Sequence, residues 1–86
     1  MSKFIHAREH LNEGDTVILD CDKQCDFIIL TDSNFSSYKS GRSCEYYGGR
    51  ATMTKNRIVV PRSGSWNIVV NPNGQALRYN LSYLKN

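Results

Sequence analysis

The stretch from Asp32 to Arg50 carries the residue types most able to do chemistry in this chain. Four aromatics, three cations and three glycines lie within it among short polar side chains. Aromatic faces stack on planar groups or cover sugars, guanidinium forks grip anions, and glycine lets a backbone come close enough to donate its N–H groups. The mixture fits recognition of a small anionic, nucleotide-like ligand better than folding. Arg42 and Arg50 are the candidates to hold phosphate or carboxylate, and Tyr38 and Tyr47 to stack on a planar ring. Ser33, Asn34 and Asn67 would select by hydrogen bonding. Gly48 and Gly49 beside Arg50 read either as free N–H groups around an anion or as a tight hairpin turn, the turn being favoured.

Catalytic patterns fit less well. His6-Ala7-Arg8-Glu9-His10 matches H-x-x-E-H, a zinc-peptidase pattern, but that chemistry needs a helix, a third ligand from a second helix and a substrate cleft. Neither Cys-x₂-Cys nor a paired finger spacing occurs, and the phosphate-loop and G-x-S-x-G signatures are absent. The expectation is a protein that is not an enzyme, with no catalytic residue, no metal and no cofactor. Cys21, Cys25 and Cys44 form an odd set in a chain whose N-terminus lacks a signal peptide's apolar stretch, so reduced thiols are expected. Cys21 and Cys25 flank Asp22-Lys23-Gln24, which reads as a hairpin turn setting two small buried side chains opposite each other.

Charge is unevenly placed. Residues 1–38 hold three cations against seven acids, and residues 39–86 hold eight cations against Glu45 alone, within a net charge of +3. Such a split points to an anionic partner, or to an acidic face of the same protein or of a second copy. Nucleic acid is disfavoured as that partner, because the first half is acidic and no RNP-like motif appears. No apolar run approaches the ~18 residues of a membrane helix, so a cytoplasmic protein with no membrane partner is expected.

The elements that must position these residues are short strands. Thr16 to Cys21 alternates apolar and polar positions, and Cys25 to Thr31 contains the run Phe27-Ile28-Ile29-Leu30. Ser43 to Tyr47 is a weaker strand ending at Gly48-Gly49. Arg57 to Val60 stops at Pro61, Trp66, Ile68 and Val70 share a face, and Leu77, Tyr79, Leu81 and Tyr83 alternate cleanly. The first dozen residues fit a helical face or a strand, the strand being preferred. Segment 32–42 is a long connection with at most one helical turn, started by Asp32 or Ser33. About seven strands in 86 residues make one all-β domain over 1–86, a β-sandwich or jelly-roll-like barrel with Trp66 at the centre of its core.

The order Phe4-Ile5-His6-x-Arg8-Glu9-His10-Leu11-Asn12-x-Gly14-Asp15, then Asp32-Ser33-Asn34-Phe35-x-x-Tyr38-x-x-Gly41, Tyr47-Gly48-Gly49 and Val60-Pro61-x-x-Gly64-x-Trp66-Asn67 resembles the small bacterial family known as domain of unknown function 1883. The resemblance spans nearly the whole chain. It implies a compact β-sandwich, found alone or attached to TIR-type signalling domains, and supplies no catalytic residue. The chain has Asn71-Pro72-Asn73-Gly74 where relatives carry an Asp-Leu-Gly-Gly-type turn, and its cysteines are its own. The TIR association implies a sensing, sequestering or adaptor role in bacterial or phage immune signalling. Two classes of function follow: a module binding a nucleotide-type signal, or an interaction module that self-associates through opposite charged faces, with a TIR-type protein as a further candidate partner.

Overall fold

The computed structural model describes residues 4–85. Residues 1–3 and 86, part of the domain expected over 1–86, lie outside the described residues. In chain order the elements are β1 (Ile5–Leu11), β2 (Thr16–Cys21), β3 (Cys25–Leu30), α1 (Asp32–Lys39), β4 (Tyr47–Ala51), β5 (Lys55–Val59), β6 (Gly64–Asn71) and β7 (Tyr79–Leu84). All pairings are antiparallel, in a four-stranded sheet ordered β1-β6-β3-β4 and a three-stranded sheet ordered β5-β2-β7. No pairing joins the two sheets among the described residues, so the expected all-β fold is a sandwich rather than a closed barrel.

The alternation of β2 places Val17, Leu19 and Cys21 in the space between the sheets, where they meet Phe27, Ile29, Trp66, Ile68 and Val70. Trp66 sits fully buried in this layer, and its indole N–H donates to the Arg62 carbonyl at 3.0 Å. Strand β3 is apolar at four successive positions because both of its faces are covered. Phe27 and Ile29 face the inner core, whereas Ile28 and Leu30 lie under α1 with Val69 and Phe35.

Helix α1 is longer than the single turn read from the sequence, and its N-cap is neither Asp32 nor Ser33. Thr31 is its N-cap, with Oγ1 accepting from the Asn34 N–H at 3.5 Å. Its other end closes as a Schellman motif: Gly41 N–H donates to the Tyr38 carbonyl, Arg42 N–H donates to the Ser37 carbonyl, and Gly41 takes φ +74°. Eight residues offer a weak apolar stripe, so the helix is held by Phe35 and by its caps rather than by propensity.

Three expectations about connections need correction. Gly48 and Gly49 do not form a turn; they lie inside β4, paired with Ile28 and Phe27, and the strand begins at Tyr47 rather than Ser43. Gly48 is needed there because its φ is +105° and a Cβ would fall against the Phe27 carbonyl oxygen and 2.7 Å from Ile58 Cδ1. The link between β2 and β3 is not a hairpin either. The two strands belong to different sheets, so residues 22–24 form an arch across the sandwich edge, with Cys21 and Cys25 both pointing into the core. The final strand starts at Tyr79, later than the alternation from Leu77 suggested.

Candidate functional site

Strand β4 is an edge strand bonded only to β3, and β5 is an edge strand bonded only to β2. Each leaves one row of backbone N–H and C=O groups unpaired. Between these two edges lies an opening of about 310 Å³, lined by Gly48, Gly49, Arg50, Met53, Lys55 and Arg57 among others. On the outer face of the four-stranded sheet a second cleft, about 200 Å³, is walled by Tyr38 at the end of α1 and Tyr46 in the following loop. Its floor is Ile28 and Gly49, and Arg50 and Asp26 form its rim. Gly49 and Arg50 line both, so one strand separates an aromatic cleft from a basic one.

The cations differ in how they are held. Arg50 Nη1 lies 3.6 Å from Asp26 Oδ1, and its Nη2 donates to Gln24 Oε1 at 3.4 Å, with half its side chain exposed. Lys55 lies 4.0 Å from Asp20. Both pairs are long and wet, so they hold these cations weakly. Among the described residues Arg57 and Arg42 have no ion-pair partner. Tyr38 is fixed by an edge contact to Phe4, with ring centroids 5.4 Å apart, and by Asn71 Nδ2 donating to its hydroxyl at 3.5 Å. Tyr46, opposite it, is exposed.

The structure brings together only part of the expected site. Tyr38, Gly49 and Arg50 share the aromatic cleft, and Gly48 joins them on the basic side. Tyr47 turns away and meets Trp66 edge-on at 5.7 Å. Arg42 is exposed beyond the helix end and lines neither opening. Asn34 is used locally, its Nδ2 donating to Thr31 Oγ1 at 3.0 Å and its Oδ1 accepting from the Glu45 N–H at 3.2 Å. Ser33 is exposed in the first turn of α1, away from both clefts. Sequence reasoning missed Tyr46, which meets Arg50 in the outer-face cleft beside Tyr38, and Lys55 and Arg57, which approach Arg50 only because β4 and β5 face each other across the sandwich edge; the alternation Lys55, Arg57, Val59 was the available signal.

Asn67 is a structural residue rather than a selector. It is 1% exposed, and its Nδ2 donates to Asp32 Oδ1 at 2.7 Å and to the Leu30 carbonyl at 3.4 Å, while its Oδ1 lies 2.9 Å from His6 Nε2. Arg8 grips the same Asp32 carboxylate with two donors, at 3.0 and 2.8 Å. The hydrogen bond from Arg8, then that from Asn67, holds the Asp32 carboxyl well below the usual carboxylate range. His6 completes the corner by stacking on Phe35, with centroids 4.1 Å apart. The H-x-x-E-H motif lies on β1, where strand geometry separates His6 from His10 by about 13 Å, too far to share one ion. Among the described residues no group of three metal-ligating side chains converges, and no helix is long and apolar enough to cross a membrane.

Part of the charge asymmetry is met by ion pairs between the two halves, three of the eight second-half cations taking part among the described residues. Arg50–Asp26, Lys55–Asp20 and Lys85–Asp15 each join a cation of the second half to an acid of the first.

Seven strands in two antiparallel sheets, with one helix on the larger sheet, define a small all-β module of sandwich type. The chain belongs to the family described as Domain of unknown function (DUF1883), whose sequence profile matches residues 2–83. No curated protein and no solved structure matches it.

Proposed function

We propose that this protein is a non-catalytic binding module for a small anionic ligand of nucleotide type, which it senses or sequesters. The observation that carries the reading is the position of Gly49 and Arg50 on the shared wall of an aromatic cleft and a basic one. A planar ring between Tyr38 and Tyr46 would place an attached anionic group beside Arg50, within reach of Arg57 and Lys55. The residues lining the two openings include one carboxylate, Asp26, and no histidine, cysteine or serine, which supports binding without chemistry. One stacking pair and two exposed charge-assisted contacts supply on the order of 5 kcal/mol, a Kd of roughly 0.2 mM before any enclosure. Screening therefore belongs at millimolar ligand.

The test is a thermal-shift titration with mononucleotides, dinucleotides and ADP-ribose derivatives, since a ligand raises stability by RT ln(1 + [L]/Kd). A saturable rise that Arg50→Ala with Arg57→Ala removes, and Arg42→Ala leaves in place, supports the site. A flat response to every compound sinks it.

A second reading, an interaction module working through self-association or with a TIR-type protein, is favoured by the outer face of the three-stranded sheet. Val59 and Leu84, 62% and 61% exposed, flank Thr16 there with no element covering them. That apolar row adds to the opposite charged faces as a surface for such contact. Sedimentation of Val59→Lys against the unmodified chain separates the two.

A further inference from the structure

We propose that Cys21 and Cys25 form a reversible dithiol–disulfide site at the arch between β2 and β3. Cys21 is the last residue of one sheet's central strand and Cys25 the first residue of an inner strand of the other. Three residues separate them, and both side chains point into the same buried layer between the sheets. A disulfide needs its two Cα atoms within about 7 Å and its side chains turned toward a common space, and a three-residue arch with both ends facing the core meets the second need and permits the first. Cys44 stands apart, half-buried in the cluster under α1.

The pair is asymmetric in access. Cys21 is buried too, at 7% exposure, but it lines an opening of about 170 Å³ with Lys23, Gln24, Met53 and Thr54, and its thiol sits 3.7 Å from the Met53 carbonyl and 3.8 Å from Asn56 Nδ2. Cys25 is fully buried, and burial first, then Cys21, pushes its thiol up to about 11. A small-molecule disulfide therefore enters at Cys21. The Cys21 thiolate attacks one of its sulfurs, forming a mixed disulfide and releasing one thiol. Cys25 then gives up its proton and attacks the Cys21 sulfur, closing the internal bond and releasing the second thiol. The protein loses two electrons and two protons, and the small disulfide gains them.

Oxidation at this place reaches the candidate groove. Gln24 and Asp26, the neighbours of Cys25 in sequence, are the two residues that hold Arg50. Drawing Cys25 toward Cys21 changes that hold, a consequence that alone rests on the proposed ligand reading.

The deciding experiment equilibrates the whole chain in buffers of oxidised and reduced glutathione, quenches it in denaturant with iodoacetamide, and reads intact mass and linked peptides. The expected result in the oxidised buffer is one alkylated cysteine, Cys44, in place of three, with a peptide joining Cys21 to Cys25, reversed by excess reductant. The variant Cys44→Ser should keep the loss of two alkylatable thiols. Three alkylatable thiols after oxidation, or glutathione adducts confined to Cys44, overturn the proposal. Calorimetric titration of both forms with millimolar ADP, which carries both a planar ring and an anionic group, separates the readings. Binding that differs between the forms supports the link to Arg50; binding by neither form overturns the ligand reading while the thiol count decides the disulfide.

Discussion

Asn67 donates from Nδ2 to the Asp32 carboxylate across 2.7 Å, and this one contact ties the central strand β6 to the first residue of α1. A carboxylate only accepts, so the amide must turn its Oδ1 the other way, toward His6 Nε2 at 2.9 Å. That nitrogen therefore carries the proton in this arrangement. With Arg8 on the far side of Asp32, four polar residues from β1, α1 and β6 lock the helix over the sheet and so set where Tyr38 stands.

Removing the amide should loosen the corner. Asn67→Ala leaves the Leu30 carbonyl and Asp32 short of a donor and should cost about 1–3 kcal/mol. Asn67→Asp should cost more at neutral pH, because it sets a second carboxylate against Asp32, and should recover in acid as the new carboxyl protonates. Denaturant melts of both variants across pH check this; equal deficits at every pH would show that a carboxylate at position 67 does not oppose Asp32.

Asp32 carries its own pH dependence. Its carboxyl is held below its ordinary value of 3.8, chiefly by the hydrogen bond from Arg8. A depressed folded value means the contribution is present above 3.8 and is lost as pH falls below it. Asp32→Asn should therefore melt below the unmodified protein at neutral pH, with the gap closing in acid. The side chain is 55% exposed, so added salt should shrink the gap as well. A gap independent of pH and salt would assign the effect to packing instead.

Gly48→Ala should be the costlier of the two glycine substitutions on β4. Its new methyl would press on the Phe27 carbonyl, which is backbone and cannot yield, and on Ile58 from the opposite sheet, at a cost of about 1–3 kcal/mol. Gly49→Ala meets no atom within 4 Å and keeps only backbone strain. Melting temperatures in the reverse order would mean that β4 is not held as described.

Asp26 should work against anion binding. It competes for Arg50 at 3.6 Å, so Asp26→Asn should tighten pyrophosphate binding several-fold while Arg57→Ala weakens it. Isothermal titration at low salt reads both. Unchanged affinity in the pair would remove Arg50 and Arg57 from the site.

Buried Cys25 gives the opposite slope at high pH. Its thiol is raised from 9.0 to about 11 by burial and by Cys21, so the stabilisation is complete below 9.0 and is lost as pH climbs toward 11. Cys25→Ala should flatten the alkaline limb of the stability curve, and an unchanged limb would point to Tyr83, whose hydroxyl burial also shifts upward.

Much of the architecture was legible in the residues themselves. Alternation in β2, the four-residue apolar run of β3 and the lone Trp66 specify strands and core directly, because a strand covered on one face alternates and a strand covered on both does not, and the side chains record the difference. The motif residues His6, Arg8, Asp32 and Asn67 were visible as a pattern, but their role as a clamp was not, since they lie up to 61 positions apart and meet only when β1, β6 and α1 pack. The same limit governs the candidate site. Local composition could single out Tyr38, Gly49 and Arg50, yet which sheet each strand joins depends on the burial of all seven at once. That choice alone set β4 opposite β5, turned Tyr47 inward to Trp66, left Arg42 outside, and brought Lys55 and Arg57 to Arg50.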